Sequence, residues 1–144
     1  MTLHLIKLCV GATSIADLED WIAQRAEVAR KAGQPFEQIH VTRMVPTRRE
    51  ELLDGGALYW VIKGEVAARQ RLIDLRPFVD ADGVRRCGLV LDPCVVPVEP
   101  RPSRPFQGWR YLKANEAPRD LARAGGGAEL PEGLRRELRD LGLL

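Results

Sequence analysis

Residues 57–98 carry no helical period, and this constrains the fold more than any other feature of the chain. The stretch opens with ALYWVIK and Gly64. An alternating run over 65–75, the turn signal Asp80-Ala81-Asp82-Gly83 and a second apolar run over 84–91 follow, ending at Asp92-Pro93. Aromatic and β-branched residues bounded by turn formers make strands, so the stretch reads as a β-meander. A doubly wound parallel sheet needs a helix between successive strands, and none fits here. A short edge strand at 95–98 can follow, because Pro97 is tolerated only at a sheet edge or strand end.

The flanks supply helices and two more strands. Residues 3–10 form a buried-looking strand bounded by Gly11. Ser14 and Asp17 have capping spacing, and Ile15, Leu18, Ile22, Ala26 and Ala29 give one apolar face up to a stop at Gly33. Residues 37–45 read as a strand ended by Pro46, with Ile39, Val41, Arg43 and Val45 alternating against His40, Thr42 and Met44. Thr47 and Glu50 form a second capping box for a helix of barely two turns, closed by Asp54-Gly55-Gly56. Asn115 can cap a helix that holds Pro118 in its first turn and ends near Ala124. Gly125-Gly126-Gly127 then reads as a hinge, and Leu130, Leu134, Leu138 and Leu141 mark the apolar face of a last amphipathic helix.

A chain of 144 residues fits one domain that buries roughly 70% of its unfolded surface without metals or disulfides. The expected organisation is a domain over 1–124, with the hinge and last helix of 125–144 packed on it. Net charge is only +2, so nucleic-acid affinity would have to come from local clusters. Lys7 interrupts the apolar start, which is too short to cross a bilayer, so no membrane partner is expected. Cys9, Cys87 and Cys94 are odd in number and lack C-x-x-C spacing. With His4 and His40 they match no zinc pattern, and the reading is a cytoplasmic protein with no cofactor and no metal.

The densest functional signal is the run PRPSRPFQGWRYLK over 100–113, in which prolines, cations and aromatic rings alternate. Guanidinium planes and aromatic faces suit phosphates, nucleobases or an acidic protein surface; the same residues can also pin a long loop to the body. Five blocks in order, LHLIKLCVG, HVTRM with a following P-x-R, LLDGGALYWVIKG, RQRLIDLR and EPRPSRPFQGWRYL, resemble the bacterial family catalogued as domain of unknown function 1489. That resemblance implies no reaction, substrate or catalytic residue. The order of a strand, a short arginine-bearing helix, a Gly-Gly turn, an aromatic strand and a long strand with alternating arginines is similar to the PUA-like group, including ASCH and EVE modules. Those are small β-barrels flanked by helices, many of which bind RNA or modified bases. The expected fold is therefore α+β: a small, mostly antiparallel, strongly twisted sheet or open PUA-like β-barrel with N-terminal and C-terminal helices.

The candidate binding residues are Arg43, Arg48, Lys63, Arg69, Arg71, Arg104, Gln107, Trp109, Arg110 and Tyr111. Arg69 and Arg71 have period-two spacing, which places them on one face with Ala67 and Ile73, as a phosphate track or as partners of Glu50, Glu51 and Asp74. Trp109 and Trp60 either stack on an unpaired base or pack: Trp60 in a buried strand, Trp109 under a pinned loop. The functional expectation is a non-enzymatic binding module for RNA or a modified nucleotide. The alternatives are a protein-protein interaction or structural module that uses the 100–113 run and the last helix as an interface, and a small enzyme acting on a phosphorylated substrate, for which no catalytic residue is identified.

Overall fold

The structure is a computed structural model that describes residues 2–121. In order these form β1 (Leu3–Leu8), α1 (Ile15–Lys31), β2 (Gln38–Thr42), α2 (Arg49–Leu53), β3 (Ala57–Ile62), β4 (Glu65–Val79), β5 (Arg85–Leu91), β6 (Val96–Pro102) and β7 (Trp109–Lys113), then a 3-10 turn at Ala114–Glu116. The glycine hinge and the last helix fall outside the described residues.

The fold is α+β, with a seven-stranded sheet in the order β2-β5-β4-β3-β1-β7 and β6 also paired to β4. Among the described residues only β1 and β3 run parallel; the remaining pairs are antiparallel. Leu72 N donates to Gly56 O, whereas Arg71 O accepts from Asp92 N. The C=O of Arg71 and the N–H of Leu72 belong to one trans peptide and point in opposite directions, so β3 and β5 flank β4 on opposite sides. Strands β5 and β6 therefore follow one another along the same side of β4, separated by the break at 92–95. The prolines of β6 sit where a ladder tolerates them, since among the described residues the strand meets, beyond β4, an isolated bridge from Val98 to Asp120 and no further strand.

The sheet is open and does not close into a barrel, but it is strongly curled. Gln38 of β2 bonds Gln70 of β4 across the intervening β5. The His40 and Trp60 rings meet at 5.1 Å although two strands separate them in the sheet. The two ends of the strand path are joined by side chains: Trp109 Nε1 donates to Met44 O at 2.8 Å, and Thr47 N donates to the Tyr111 hydroxyl at 3.0 Å.

Helix α1 covers the concave face, where Ile15, Leu18 and Ile22 join Leu5, Leu58, Trp60, Leu72 and Leu89 in the larger core cluster. Burying each such leucine contributes about 1.5–3 kcal/mol. On the convex face a smaller cluster of Ala57, Tyr59, Val61, Val66 and Val98 lies under Phe106 and Ala117. Every residue of β3 is consequently buried, which explains its uninterrupted apolar sequence.

Local chemistry explains where sequence and structure agree. Ser14 caps α1 by accepting from Asp17 N, and the helix stops at Gly33, whose N–H bonds Arg30 O. Residues 63 and 64 form the two-residue hairpin between β3 and β4 with φ of 52° and 77°, the geometry of a type I′ turn. Three expectations are corrected. The Thr47–Glu50 capping box does not form: α2 begins at Arg49 without a side-chain cap, and Tyr111 takes the Thr47 N–H instead. No helix starts at Asn115, because Ala117 precedes a proline and is extended (φ −75°, ψ 133°). The face expected to carry Ala67, Arg69, Arg71 and Ile73 is cut by irregularities between Val66 and Ala68 and between Leu72 and Asp74, leaving only the two arginines on it.

Candidate functional site

The sequence-derived candidates separate into several places. Trp109 is only 8% exposed and anchors the sheet edge, so its ring is not available for stacking on a base. Tyr111 lies beside it with Arg48 over its ring at 5.6 Å, and Arg48 is also paired to Glu51 at 2.6 Å. Arg110 projects to the other face of β7, over Phe106 at 4.7 Å. Lys63 occupies the hairpin tip, and Arg43 lies near Pro77 and Arg85 at the far end of the sheet. Arg69 holds Asp120 in two bonds of 2.8 and 2.7 Å on the convex face. Arg71, Arg104 and Gln107 are exposed. These side chains do not converge on one groove.

A different set does converge. Between β1, α1 and β2 lies a cavity of about 330 Å³ lined by Lys7, Cys9, Trp21, Arg25, Gln38, His40 and Trp60, among others. Apart from Arg25 on α1, its polar groups come from strand positions that face the core. Along β1, Leu3, Leu5 and Cys9 belong to the concave cluster, and period-two alternation places Lys7 on that same face. Along β2 the polarity is inverted: Gln38 and Thr42 are buried and His40 half-buried, whereas Ile39 and Val41 are 38% and 46% exposed. Trp21 and Arg25 stand four residues apart on α1 and share a helix face.

Burial and charge set the protonation states. His40 is pushed down to about 4, first by burial and then by the Lys7 and Arg25 charges, so the ring is neutral near pH 7. Its Nε2 is buried with no hydrogen-bond partner among the described residues, a costly state for a polar atom unless a ligand completes it. Lys7 is lowered by burial, and Cys9 is pushed up to about 11 by burial first, which leaves a protonated and inert thiol. Neither Lys7 nor Arg25 has a carboxylate partner in an ion pair among the described residues.

The wall opposite the cations is fixed. Trp60 Nε1 donates to Gln70 Oε1 at 2.9 Å; the fully buried Gln70 amide in turn donates to Gln38 Oε1 at 2.6 Å and to Asp92 O at 2.8 Å. A satisfied amide pair of this kind locks Trp60 and β2 in place. Trp21 packs on Gly11 and keeps 36% of its surface exposed.

Sequence reasoning missed this site. Lys7 counted only against a membrane segment, His40 was an ordinary histidine, and Trp21, Arg25 and Gln38 were not singled out. The available signals were a lysine in phase with Leu3, Leu5 and Cys9, and a strand whose polar residues alternate as regularly as its apolar ones. Among the described residues no three His, Cys, Asp or Glu side chains gather to hold a metal, and no helix is long and apolar enough to cross a membrane. A family model described as protein of unknown function (DUF1489) matches residues 5–144. No curated protein and no solved structure matches.

Proposed function

The chain belongs to the DUF1489 family, and from that premise, which brings no reaction, we propose that it is a binding module for a nucleotide, free or at the end of an RNA strand, held in the concave-face cavity. The observation that carries the reading is the lining itself: two tryptophan rings, two cations that no carboxylate among the described residues pairs, and a neutral histidine whose Nε2 finds no hydrogen-bond partner among them. The rings suit a planar base, Lys7 and Arg25 suit its phosphate, and His40 and Gln38 offer edge hydrogen bonds. A cavity of 330 Å³ is at the lower end of the usual range for small-molecule sites. The inert Cys9 thiol favours binding over nucleophilic catalysis.

Lys7 costs stability where it stands, because a cation faces the core side of β1. Lys7→Met is therefore expected to raise the unfolding midpoint while weakening nucleotide binding about tenfold or more, a separation characteristic of functional residues. Titrating a panel of nucleoside monophosphates and a short RNA against tryptophan fluorescence, in the parent, Lys7→Met and Arg25→Gln, tests the reading. The expected result is saturable quenching that weakens with salt and is reduced in both variants. No quenching across the panel, or quenching indifferent to both substitutions, rules the proposal out. The RNA arm decides between a free nucleotide and a strand end.

A further inference from the structure

Tyr59 and Trp60 are consecutive in β3 and therefore face opposite sides of the sheet. Trp60 lines the cavity already described. Tyr59 lines another, of about 340 Å³, on the convex face, together with His4, Arg69, Arg119 and Asp120. Each cavity contains a histidine edge-on to its aromatic ring, and His4 meets Tyr59 at 5.1 Å with the planes at 80°.

Three donors are oriented in the convex cavity. His4 Nδ1 accepts the Ala57 N–H at 3.0 Å, so in the neutral ring the proton resides on Nε2. Burial, and then the Arg69 charge, lower the His4 pKa, which keeps the ring in that tautomer at neutral pH. Asp120 holds Arg69 through Nε and Nη2, fixing the guanidinium plane and leaving Nη1 available. The Tyr59 hydroxyl makes no hydrogen bond among the described residues, although Tyr59 is only 4% exposed. Tyr59 stands opposite Arg69 in the β3–β4 register and lines the same cavity as the Arg69–Asp120 pair. Arg119, exposed on the rim, adds a second cation.

We propose that this convex-face cavity is a separate oxyanion site, in which His4 Nε2–H, the Tyr59 hydroxyl and Arg69 Nη1 donate to the oxygens of a phosphate group. Three donors from three strands line one cavity, and three donors match the oxygens of a tetrahedral phosphate better than a two-oxygen carboxylate. The surrounding structure holds all three: the β1–β3 ladder positions His4, the β3–β4 register sets Arg69 opposite Tyr59, and the 114–120 segment brings Asp120 to Arg69. The inference stands independently of the concave cavity, since the two share no lining residue.

The test uses the full chain and inorganic phosphate, with acetate as the control anion, read by NMR on the His4 imidazole. Phosphate is expected to shift the His4 ring signals saturably and acetate at least about fivefold more weakly, a difference that the third donor supplies. Tyr59→Phe removes one donor without changing the ring and is expected to weaken phosphate binding about five- to tenfold. His4→Asn retains an acceptor for the Ala57 N–H but lacks Nε2; with Tyr59 as the reporter, it is expected to do the same. The proposal is overturned if phosphate leaves the His4 signals unmoved, if acetate binds equally well, or if Tyr59→Phe, folded by its amide spectrum, binds phosphate like the parent. Because the readout is at His4 and not at the tryptophans of the other cavity, its failure is distinct from failure of the nucleotide reading.

Discussion

At the scale of single residues, His40 carries the most information. Its pKa of about 4 in the folded protein lies below the roughly 6.5 of an unfolded chain. Between those two values the unfolded chain binds the proton and the folded one does not, so stability falls as pH drops from about 6.5 toward 4. The loss attributable to this ring is roughly 3 kcal/mol at most, the upper value for a shift of this size. Urea unfolding at pH 7 and pH 4.5 should show the parent losing roughly 2 kcal/mol more than His40→Gln. Equal losses in both proteins would mean that the ring is solvated. The same charges predict a linkage to binding: an anion beside Lys7 and Arg25 offsets their repulsion, raises the His40 pKa and draws a proton into the site on the acid side of neutrality.

At the scale of elements, the β3–β4 hairpin shows how a candidate site residue can have a purely local role. Lys63 has φ of 52° at the first turn position, a left-handed conformation that Asn and Gly adopt at lower cost. Lys63→Asn is expected to stabilise the protein by about 0.5–1 kcal/mol, seen as a rise of a few degrees in the melting midpoint, with nucleotide and phosphate binding unchanged. Weaker binding in that variant would return Lys63 to the list of ligand contacts. Helix α1 and strands β3, β4 and β5 were legible in the sequence because capping, turn chemistry and periodicity are local properties that survive in the fold. The orientation of β2 was not. Its alternation is plain, but the phase that faces inward depends on what lies across the sheet, and there Gln70 and Trp60 select Gln38 and His40 over Ile39 and Val41. The bulges in β4 were hidden for the same reason, since no glycine or proline marks them and only the pairing partners impose them.

At the scale of the whole molecule, the curl of the sheet creates the concave cavity, and side chains hold that curl where no ladder does. The run 100–113, legible as a pinned segment though not as an edge strand, supplies two of the fastenings: Trp109 to Met44 O and Tyr111 to Thr47 N. Both reach the segment directly after β2, the strand that carries Gln38 and His40 into the cavity. Loosening the fastening should therefore weaken the site at a distance. Tyr111→Phe removes one acceptor and is expected to cost about 0.5–1.5 kcal/mol of stability. Amide exchange should then show faster exchange at Thr47 with unchanged protection in the β3–β4 ladder, and nucleotide affinity should fall although Tyr111 does not line the cavity. Trp109→Ala, which also empties a core position, is expected to cost about 3–5 kcal/mol and to free the whole 44–48 segment. If Thr47 exchanges at the parent rate in Tyr111→Phe, the edges are held by packing alone, and the cavity owes its shape to α1 and the Gln38–Gln70 pair.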